Sequence, residues 1–313
     1  MNGLTVSHLR KCYGDLTAVE DLDLQVKRGE IFGLIGPNGA GKSTSMMMII
    51  GLLKPDSGTI SFDDQPYDIH NSEMRSRFGL VPQNLAIYPE LTTVQNLRFF
   101  GRLNGLSGQK LQERIDYVLH LTGLKDNANH SVATFSGGMM RRLNFGIALV
   151  HEPEFVVLDE PTVGIDPQSR SNLLDGVREL SKQGAGVLYA SHYMEEVEAI
   201  CDRVAIMDHG RLLKEGTIDE LLDRNQAELS IEVESLPAEV AAKLQGIAEI
   251  ETDDQGKTRI EVSQTLHRRD DSNRLRSVFE ILDRAGIPLE SLASQKTSLE
   301  TLFLKLTGRR LRD

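Results

Sequence analysis

The apolar and polar positions of the chain alternate between short continuous apolar runs and helical patterns. The apolar runs are rich in β-branched residues and are bounded by turn residues; they are Ile31–Ile35, Phe78–Val81, Phe155–Leu158, Val187–Ala190 and Val204–Met207. Continuous apolar runs of this length are typical of strands that are buried on both faces. Their alternation with helical segments predicts an α/β domain built around a largely buried sheet.

One long segment interrupts this alternation. Between Thr92 and Leu149 the strand signals disappear, and Thr92 with Gln95 three residues later is the pattern of a helix-capping box. We therefore predict a helical insert within the α/β core. Two polar segments between β-like runs, Asp56-Ser57-Gly58 and Asp208-His209-Gly210-Arg211, are predicted to be hairpin turns.

The pattern changes again after about Arg224. It predicts strands and helices in the order βαββαβ, followed by one more helix: Ala227–Glu234, Ala238–Leu244, Ile247–Thr252, Thr258–Val262, Leu275–Ala285, Leu289–Ser294, and a last helix with an apolar stripe from Leu299 to Leu306. This order fits a small ferredoxin-like α+β module. We predict a domain over residues 1–224, with a helical subdomain at about 84–150, and an accessory domain over 225–313.

Composition narrows the class of partner. The chain has 313 residues and a formal net charge of −11, from 46 acidic and 35 basic side chains, which argues against nucleic acid as the main partner. Cys12 and Cys201 are the only cysteines and are far apart, so no disulfide framework or CxxC metal pattern exists, which suits a reducing cytosol. Both are predicted to be small buried hydrophobes.

Neither export nor membrane insertion is expected from the pattern. The segment that starts at Met1 lacks the basic and apolar blocks of a signal peptide. The longest nearly continuous apolar stretch, Met46–Leu53, is too short to cross a bilayer and is interpreted as a helix buried behind the loop described next. Any role at a membrane would therefore be peripheral.

A glycine-rich loop separates the run Ile31–Ile35 from a helical segment. Its glycines allow a tight turn that aims backbone N–H groups at one point, next to the positive end of the following helix. The pattern is a nucleotide phosphate cradle, in which Lys42 reaches the outer phosphates and the Ser43 hydroxyl coordinates Mg²⁺. The predicted nucleotide-binding residues are Gly36, Pro37, Asn38, Gly39, Ala40, Gly41, Lys42, Ser43 and Thr44.

Two carboxylates follow the apolar run Phe155–Leu158. Open α/β sheets bind ligands at the carboxyl ends of their strands, so Asp159 and Glu160 are expected there. Asp159 would face Mg²⁺, and Glu160 lies one residue closer to the γ-phosphate, where a hydrolase needs a base for the attacking water. The alternative, two solvated acids at a strand end, loses weight because the phosphate loop is intact.

A second anion site is predicted at Ser136-Gly137-Gly138, where a serine and two glycines begin a helix. The helical insert separates it from Lys42, so it cannot easily serve the same phosphates. A second copy of the chain would solve this by placing its Ser136 against the γ-phosphate of the first copy, which requires two-fold symmetry. Taken alone, such a triplet is more often an ordinary helix start.

The order of these motifs resembles the nucleotide-binding subunit of ATP-binding cassette (ABC) transporters, over roughly Leu4 to Leu222. The resemblance implies a P-loop NTPase core and assigns further roles in it. Tyr13 would stack on adenine, Gln83 would touch Mg²⁺, and Asp166 would belong to the loop that crosses the dimer interface. His192, after Val187–Ala190, would contact the γ-phosphate. Phe135 and Met139 replace the family's usual leucine and glutamine beside Ser136.

The resemblance also implies a function. Two copies, most simply a homodimer, would close around two ATP and two Mg²⁺, with Lys42, Glu160 and His192 as catalytic residues, and would reopen after hydrolysis. A separate transmembrane permease would dock near Gln83, and the residues expected to contact it are Leu85, Ile87, Tyr88 and Pro89. The subunit would be cytoplasmic, on the inner face of the cell membrane.

The last helix, Ser298–Gly308, resembles the end of the daunorubicin-resistance group, whose permeases are of the ABC-2 type and whose cargo includes drugs, lipids, glycans and ions. The alternatives are a soluble ABC-type ATPase of DNA repair or chromosome maintenance, a translation-associated cassette protein, and an importer ATPase. The first usually carries coiled coils or zinc modules, and the second carries two cassettes in one chain.

Overall fold

The structure is a computed structural model that describes residues 3–68, 70–222, 226–252, 257–265, 269–296 and 298–308. The chain forms two compact units, one of Met1–Ile218 with Phe303–Asp313 and the other of Asp219–Leu302. The domain limits at 224 and 225 stay a prediction.

The first part of the chain contains ten strands and seven helices within the described residues. The strands are β1 (Gly3–Tyr13), β2 (Leu16–Lys27), β3 (Ile31–Ile35), β4 (Ser57–Phe62), β5 (Gln65–Pro66), β6 (Phe78–Val81), β7 (Phe155–Asp159), β8 (Gly186–Ala190), β9 (Arg203–Asp208) and β10 (Arg211–Thr217). The helices are α1 (Lys42–Ile49), α2 (Ser72–Ser76), α3 (Thr93–Leu103), α4 (Gly108–Leu121), α5 (Gly137–Leu149), α6 (Pro167–Lys182) and α7 (Met194–Ile200).

A six-stranded sheet forms the centre of this unit, in the order β10-β9-β3-β8-β7-β6. The five strands from β9 to the edge strand β6 are parallel, and β10 pairs antiparallel with β9. Every residue of β3 and β8 is buried, which explains why these strands are apolar throughout and do not alternate. The five predicted core strands are confirmed, and the carboxyl ends of β3, β8 and β7 lie at one edge of the sheet.

A second sheet, in the order β2-β1-β4-β5, is antiparallel and was not predicted in this form. The prediction of a hairpin turn at residues 56–58 is wrong, because residues 57 and 58 belong to strand β4. Gly58 lies within β4, where an added Cβ would come within 2.4 Å of the His8 carbonyl oxygen of β1, so this glycine serves close strand packing. The turn itself is at Asp63 and Asp64, which have positive φ angles of 50° and 61°. The other predicted hairpin, at residues 208–211, is confirmed between β9 and β10.

The helical insert between β6 and β7 consists of α3, α4 and α5, as predicted. Thr92 and Gln95 form the predicted capping box, in which the Thr92 hydroxyl accepts from the Gln95 backbone N–H and the Gln95 side chain accepts from the Thr92 N–H. The buried side chains of the three helices, among them Leu97, Ile115 and Leu143, point into the packed interior. The insert is therefore anchored to the sheet that carries the phosphate loop through α5, which packs against β6 and α6.

The second part of the chain contains a four-stranded antiparallel sheet in the order β12-β13-β11-β14. Its element order βαββαβ agrees with the prediction, whereas the likeness to the ferredoxin-like fold stays a prediction. Ile231, Ile260, Val262 and Val278 form its buried core. Residues 253–256, between the strands predicted at Ile247–Thr252 and Thr258–Val262, lie outside the described residues. The elements are α8 (Ile218–Leu222), β11 (Gln226–Val233), α9 (Ala238–Leu244), β12 (Glu249–Thr252), β13 (Thr258–Thr265), α10 (Arg269–Arg284), β14 (Ser291–Lys296) and α11 (Leu299–Thr307).

The two cysteines differ in environment. Cys201 is buried, as predicted, and burial raises the pKa of its thiol well above the usual value. Cys12 is only partly buried, so the prediction that it is a buried residue is wrong. It lies at the end of β1, next to the exposed tip of the β1–β2 hairpin. No helix in the described part of the chain combines the length and the apolar character needed to cross a membrane.

Candidate functional site

The loop between β3 and α1 has the backbone geometry that the glycine pattern predicts. Gly41 precedes α1 with φ of 102°, and an added Cβ would come within 2.4 Å of the Ala18 carbonyl oxygen. At Gly36 an added Cβ would come within 2.3 Å of the Met207 carbonyl oxygen. Since both positions exclude a side chain, backbone N–H groups are left to line the concave side of the loop at the N-terminus of α1.

Lys42 is the first residue of α1, and its side chain is folded into the loop. Its Nζ donates to the carbonyl oxygens of Gly36, at 2.7 Å, and Pro37, at 3.0 Å, and only 6% of the residue is exposed. Burial lowers the pKa of Lys42, and the negative charges of Glu160 and Asp159 oppose that shift. The Lys42 amine is therefore held inside the loop, within electrostatic reach of the two carboxylates.

Asp159 is the last residue of β7 and lies at the same sheet edge as the loop. Burial raises the pKa of its carboxyl group, while a hydrogen bond with the Ser43 side chain acts in the opposite direction. The structure thus brings together the Ser43 hydroxyl and the Asp159 carboxylate, two of the oxygen donors predicted to hold Mg²⁺. Oxygen donors are the ligands that this hard cation prefers.

Glu160 follows β7 and has a positive φ angle of 47°, so its side chain does not continue the alternating side-chain directions of the strand. Its Oε2 accepts a hydrogen bond of 2.9 Å from Gln83 Nε2, and its Oε1 lies 3.4 Å from His192 Nδ1. Its backbone N–H donates to the Ala190 carbonyl oxygen at 2.9 Å. Three segments that are distant in sequence therefore meet at the side chain predicted to be the general base.

The predicted second anion site begins α5. The Ser136 hydroxyl oxygen caps this helix by accepting from the Met139 backbone N–H at 3.3 Å, and Ser136 and Gly137 are exposed. Gly138 is buried and has no room for a side chain, because an added Cβ would come within 2.8 Å of Asp166 Oδ2. Asp166 caps α6 by accepting from the Ser169 N–H, and these backbone and side-chain hydrogen bonds lower its pKa.

Ser136 and Asp166 are thus neighbours at the starts of two packed helices. Within the described residues, no hydrogen bond or ion pair joins either of them to Lys42, Glu160 or His192. Tyr13, at the end of β1, is 49% exposed, and the Lys11 ammonium lies 5.9 Å from its ring centre. Its ring face is therefore accessible for stacking.

Sequence reasoning missed the residues that hold the segment after Gln83. Asn144 is buried on α5, accepts from the Ala86 N–H at 2.9 Å and donates to the Pro82 carbonyl at 3.3 Å. Arg141, also on α5, donates to the carbonyl oxygen of Gln83. The available signal was a polar residue at an otherwise apolar position of the helix, Asn144 among Leu143, Phe145 and Ile147.

A second group that the sequence did not indicate surrounds Glu196 on α7. Its carboxylate is buried and accepts hydrogen bonds from the hydroxyls of Thr162, Tyr189 and Ser191. The only signal was a glutamate on the apolar side of a short helix.

The site combines a backbone anion cradle, a buried lysine, oxygen donors for a hard cation and a second carboxylate held by an amide and an imidazole. This set defines a nucleoside triphosphate hydrolase of the P-loop class. The family model described as ABC transporter matches residues 19–163.

Whole-length relatives extend that match. The linearmycin resistance ATP-binding protein LnrL of Bacillus subtilis is 40% identical over 99% of this chain and 100% of its own length. The daunorubicin resistance ATP-binding protein DrrA3 of Streptomyces coeruleorubidus is 39% identical over 97% of this chain and 96% of its own. The chain belongs to the ATP-binding proteins of the ABC transporter family.

Solved structures agree with this assignment. An ATP-binding subunit of an ABC transporter matches with a TM-score of 0.65 and 33% identity, over 71% of this chain and 92% of its own. A dimeric ATP-binding cassette in a post-hydrolysis state with ADP and Pi matches with a TM-score of 0.62 and 25% identity, over 68% of this chain and 98% of its own. The chain is an ATP-binding and ATP-hydrolysing subunit of an ABC transporter.

Proposed function

We propose that this chain is the ATPase of an ABC-2-type exporter whose cargo is a drug, lipid, glycan or ion. The support is that relatives matched over almost the whole chain are named for linearmycin resistance, daunorubicin resistance and Nod factor export. A soluble DNA-repair ATPase is less favoured, because the net charge of −11 does not suit a polyanionic partner. None of the three relatives just named is named for import, so the importer alternative lacks this support.

The chemistry that we propose rests on the contacts of Glu160. Gln83 and His192 hold the two oxygens of its carboxylate at 2.9 Å and 3.4 Å, so the base is oriented before nucleotide arrives. Glu160 would take the proton of an in-line water as that water attacks the γ-phosphate. Lys42 would leave the carbonyls of Gly36 and Pro37 to bind the outer phosphates, and His192 would contact the γ-phosphate.

Ser43, Asp159 and Gln83 would hold Mg²⁺, and the donor set fits, because hydroxyl, carboxylate and amide oxygens are hard ligands. Bound there, the ion neutralises charge on the β- and γ-phosphates. The hydrogen bond between Ser43 and Asp159 already brings two of these donors together. Tyr13 would stack on adenine through its exposed ring.

We further propose that the complete site needs a second copy of this chain. Ser136 and Gly137 are exposed at the N-terminus of α5, and Asp166 is exposed beside them. In a two-fold dimer, Ser136 of one copy would bind the γ-phosphate held by Lys42 of the other. ATP would then hold the closed dimer together, and loss of the γ-phosphate would release it.

The test is Glu160→Gln, which keeps the size of the side chain and removes the base. We expect turnover to fall about 10²-fold or more and an ATP- and Mg²⁺-dependent dimer to accumulate, seen by size-exclusion chromatography with light scattering. Glu152→Gln is the matched control, since Glu152 also has a positive φ angle, of 63°, but is exposed. Wild-type turnover in Glu160→Gln would refute the role of Glu160.

The permease is expected to dock on an aromatic surface that follows Gln83, formed by Leu85, Tyr88, Pro89, Phe99 and Phe100. Tyr88 and Phe99 are 44% and 43% exposed, and their ring centres are 5.1 Å apart. Asn96 fixes this surface, since it accepts from the Tyr88 N–H at 2.8 Å and donates to the Tyr88 carbonyl at 3.0 Å. Exposed aromatic clusters of this kind mark protein interfaces. Of the predicted docking residues, Ile87 is partly buried.

Docking is tested by co-purification from detergent-solubilised cytoplasmic membranes. The double variant Tyr88→Ser, Phe99→Ser should lose a membrane-embedded partner that the wild type retains, while its own ATPase activity persists. Leu52→Ser is the control, because Leu52 is 69% exposed outside this surface. A wild-type complex with only soluble partners would overturn the transporter role, and retention by the double variant would overturn this docking surface.

A further inference from the structure

Glu196 lies in the first turn of α7 and is 3% exposed. Its Oε2 accepts from the hydroxyls of Thr162 at 2.7 Å, Tyr189 at 2.7 Å and Ser191 at 3.3 Å. Its Oε1 lies 3.2 Å from Arg170 Nε, an ion-pair distance without a hydrogen bond between the two atoms. A buried carboxylate is stable only when donors replace its water, so the three hydroxyls are held where the carboxylate needs them.

The four partners belong to the two segments that carry the proposed catalytic residues. Thr162 lies two residues after Glu160, and Arg170 lies in the first turn of α6, which Asp166 caps. Thr162 therefore ties the segment from Glu160 to Asp166 near its start by a hydrogen bond, and Arg170 lies close to the same carboxylate just after the end of that segment.

The other two partners, Tyr189 and Ser191, both lie shortly before His192 in the chain. Ser191 immediately precedes it, and the Ser191 hydroxyl oxygen also accepts from the Tyr193 N–H at 3.0 Å, so the backbone on both sides of His192 is tied down. The Arg170 guanidinium lies 4.8 Å from the centre of the Tyr193 ring, and that ring lies 4.2 Å from the His192 ring. A series of neighbouring side chains thus runs from Glu196 through Arg170 and Tyr193 to His192.

We propose that Glu196 is a positioning residue that locks the segment carrying Glu160 to the segment carrying His192. The separation of 3.4 Å between Glu160 Oε1 and His192 Nδ1 is maintained because both segments are bound to one buried carboxylate. The proposed function supplies the roles of Glu160 and His192 on which this inference rests. Glu196 itself lies behind these residues and acts on the reaction only through them.

The test compares Glu196→Gln with Glu195→Gln, the same change at the neighbouring exposed glutamate of α7. The glutamine at 196 can present only one acceptor oxygen, and its NH₂ group faces Arg170. We expect kcat to fall roughly 10- to 100-fold, because small displacements of catalytic groups have effects of this size, with the Kd for ATP changed less than about threefold. Glu195→Gln should behave as the wild type.

A double-mutant cycle with His192→Ala separates positioning from a general loss of folded protein. If Glu196 acts through the Glu160–His192 arrangement, Glu196→Gln should reduce kcat much less in the His192→Ala background than in the wild type. A loss of folded protein would instead lower both backgrounds by the same factor and would appear in thermal unfolding. Equal factors in the two backgrounds would overturn the proposal, as would wild-type kcat in Glu196→Gln.

Thr162→Val provides a second route to the same answer if Glu196→Gln folds poorly. Valine keeps the branched shape and removes one hydroxyl donor from Glu196. The same non-additivity with His192→Ala is expected, and full additivity would contradict the proposal. If His192→Ala alone leaves kcat unchanged, the assigned role of His192 in the proposed function fails, which is a different outcome from a silent Glu196→Gln.

Discussion

At the scale of single residues, the site places a buried lysine near a partly buried carboxylate. Lys42 is 6% exposed, and burial lowers its pKa, whereas burial raises the pKa of Asp159. Both shifts disfavour the charged forms that nucleotide and metal binding require. Negative phosphates beside Lys42 and a cation beside Asp159 would favour those charged forms.

Asp159→Asn should separate stability from function. Because the raised pKa means that the folded chain binds the Asp159 proton more tightly than the unfolded chain, the ionised carboxylate costs stability once the pH exceeds that pKa. The neutral amide removes this cost, so the midpoint of thermal unfolding at pH 7 without Mg²⁺ should rise.

The same variant should lose Mg²⁺-dependent ATPase activity. Asp175→Asn is the control, since Asp175 is 65% exposed and forms a surface ion pair with Arg178. A lower melting midpoint in Asp159→Asn would contradict the desolvation argument, and retained Mg²⁺-dependent turnover would contradict the metal role.

At the scale of elements, the ends of helices decide where the functional groups lie. Gly41, Ser136 and Asp166 precede α1, α5 and α6, and the predicted phosphate contacts lie at the first two of these ends. A helix N-terminus exposes N–H groups without intrahelical partners and so favours anions. Local sequence was sufficient to locate these ends, because caps depend on residues within one turn.

Thr92→Ala tests how much the insert depends on its capping box. Thr92 and Gln95 form two reciprocal hydrogen bonds, one through the Thr92 hydroxyl and one through the Thr92 backbone N–H. The substitution removes the hydroxyl and with it the first of these bonds. We expect the free energy of unfolding to fall by about 1 kcal/mol in urea titration. Ser107→Ala is the matched control, since Ser107 precedes α4 without a side-chain cap and should change stability little. Equal losses of unfolding free energy in Thr92→Ala and Ser107→Ala would show that the capping hydrogen bonds do not stabilise the insert.

At the scale of the whole molecule, the site described in one chain is incomplete in our proposal. Lys42, Asp159, Glu160 and His192 come together within one copy, whereas Ser136 does not join them. Dimerisation then becomes part of the chemistry, since each ATP would need residues from two chains.

Mixing two inactive variants tests the composite site. Lys42→Ala and Ser136→Glu should each be inactive, the second because a carboxylate would repel the γ-phosphate. In an equal mixture, about half of the random dimers are mixed and each has one intact site of two, so about a quarter of wild-type activity should return.

The control is a mixture of Lys42→Ala with the double variant Lys42→Ala, Ser136→Glu, in which no intact site can form. If subunits exchange and the first mixture is still no more active than the separate variants, each chain completes its own site. Recovery in both mixtures would show that the recovered activity does not require the Lys42 side chain.

Much of this organisation follows from local pattern. The apolar runs located the five core strands because strands buried on both faces have no polar positions, and the loop from Gly36 to Thr44 was recognisable because its glycines must have special backbone angles. The sheet edge that receives Asp159 and Glu160 was also predictable, since parallel strands present their carboxyl ends together.

Only the tertiary structure decided which distant side chains meet. The contact of Gln83 and His192 with Glu160, the support of the Gln83 segment by Asn144, and the burial of Glu196 among three hydroxyls join segments far apart in the chain. No local pattern encodes such contacts, because they depend on strand order and helix packing. The sequence therefore placed each catalytic group at an element end, and the fold determined how those ends are held against one another.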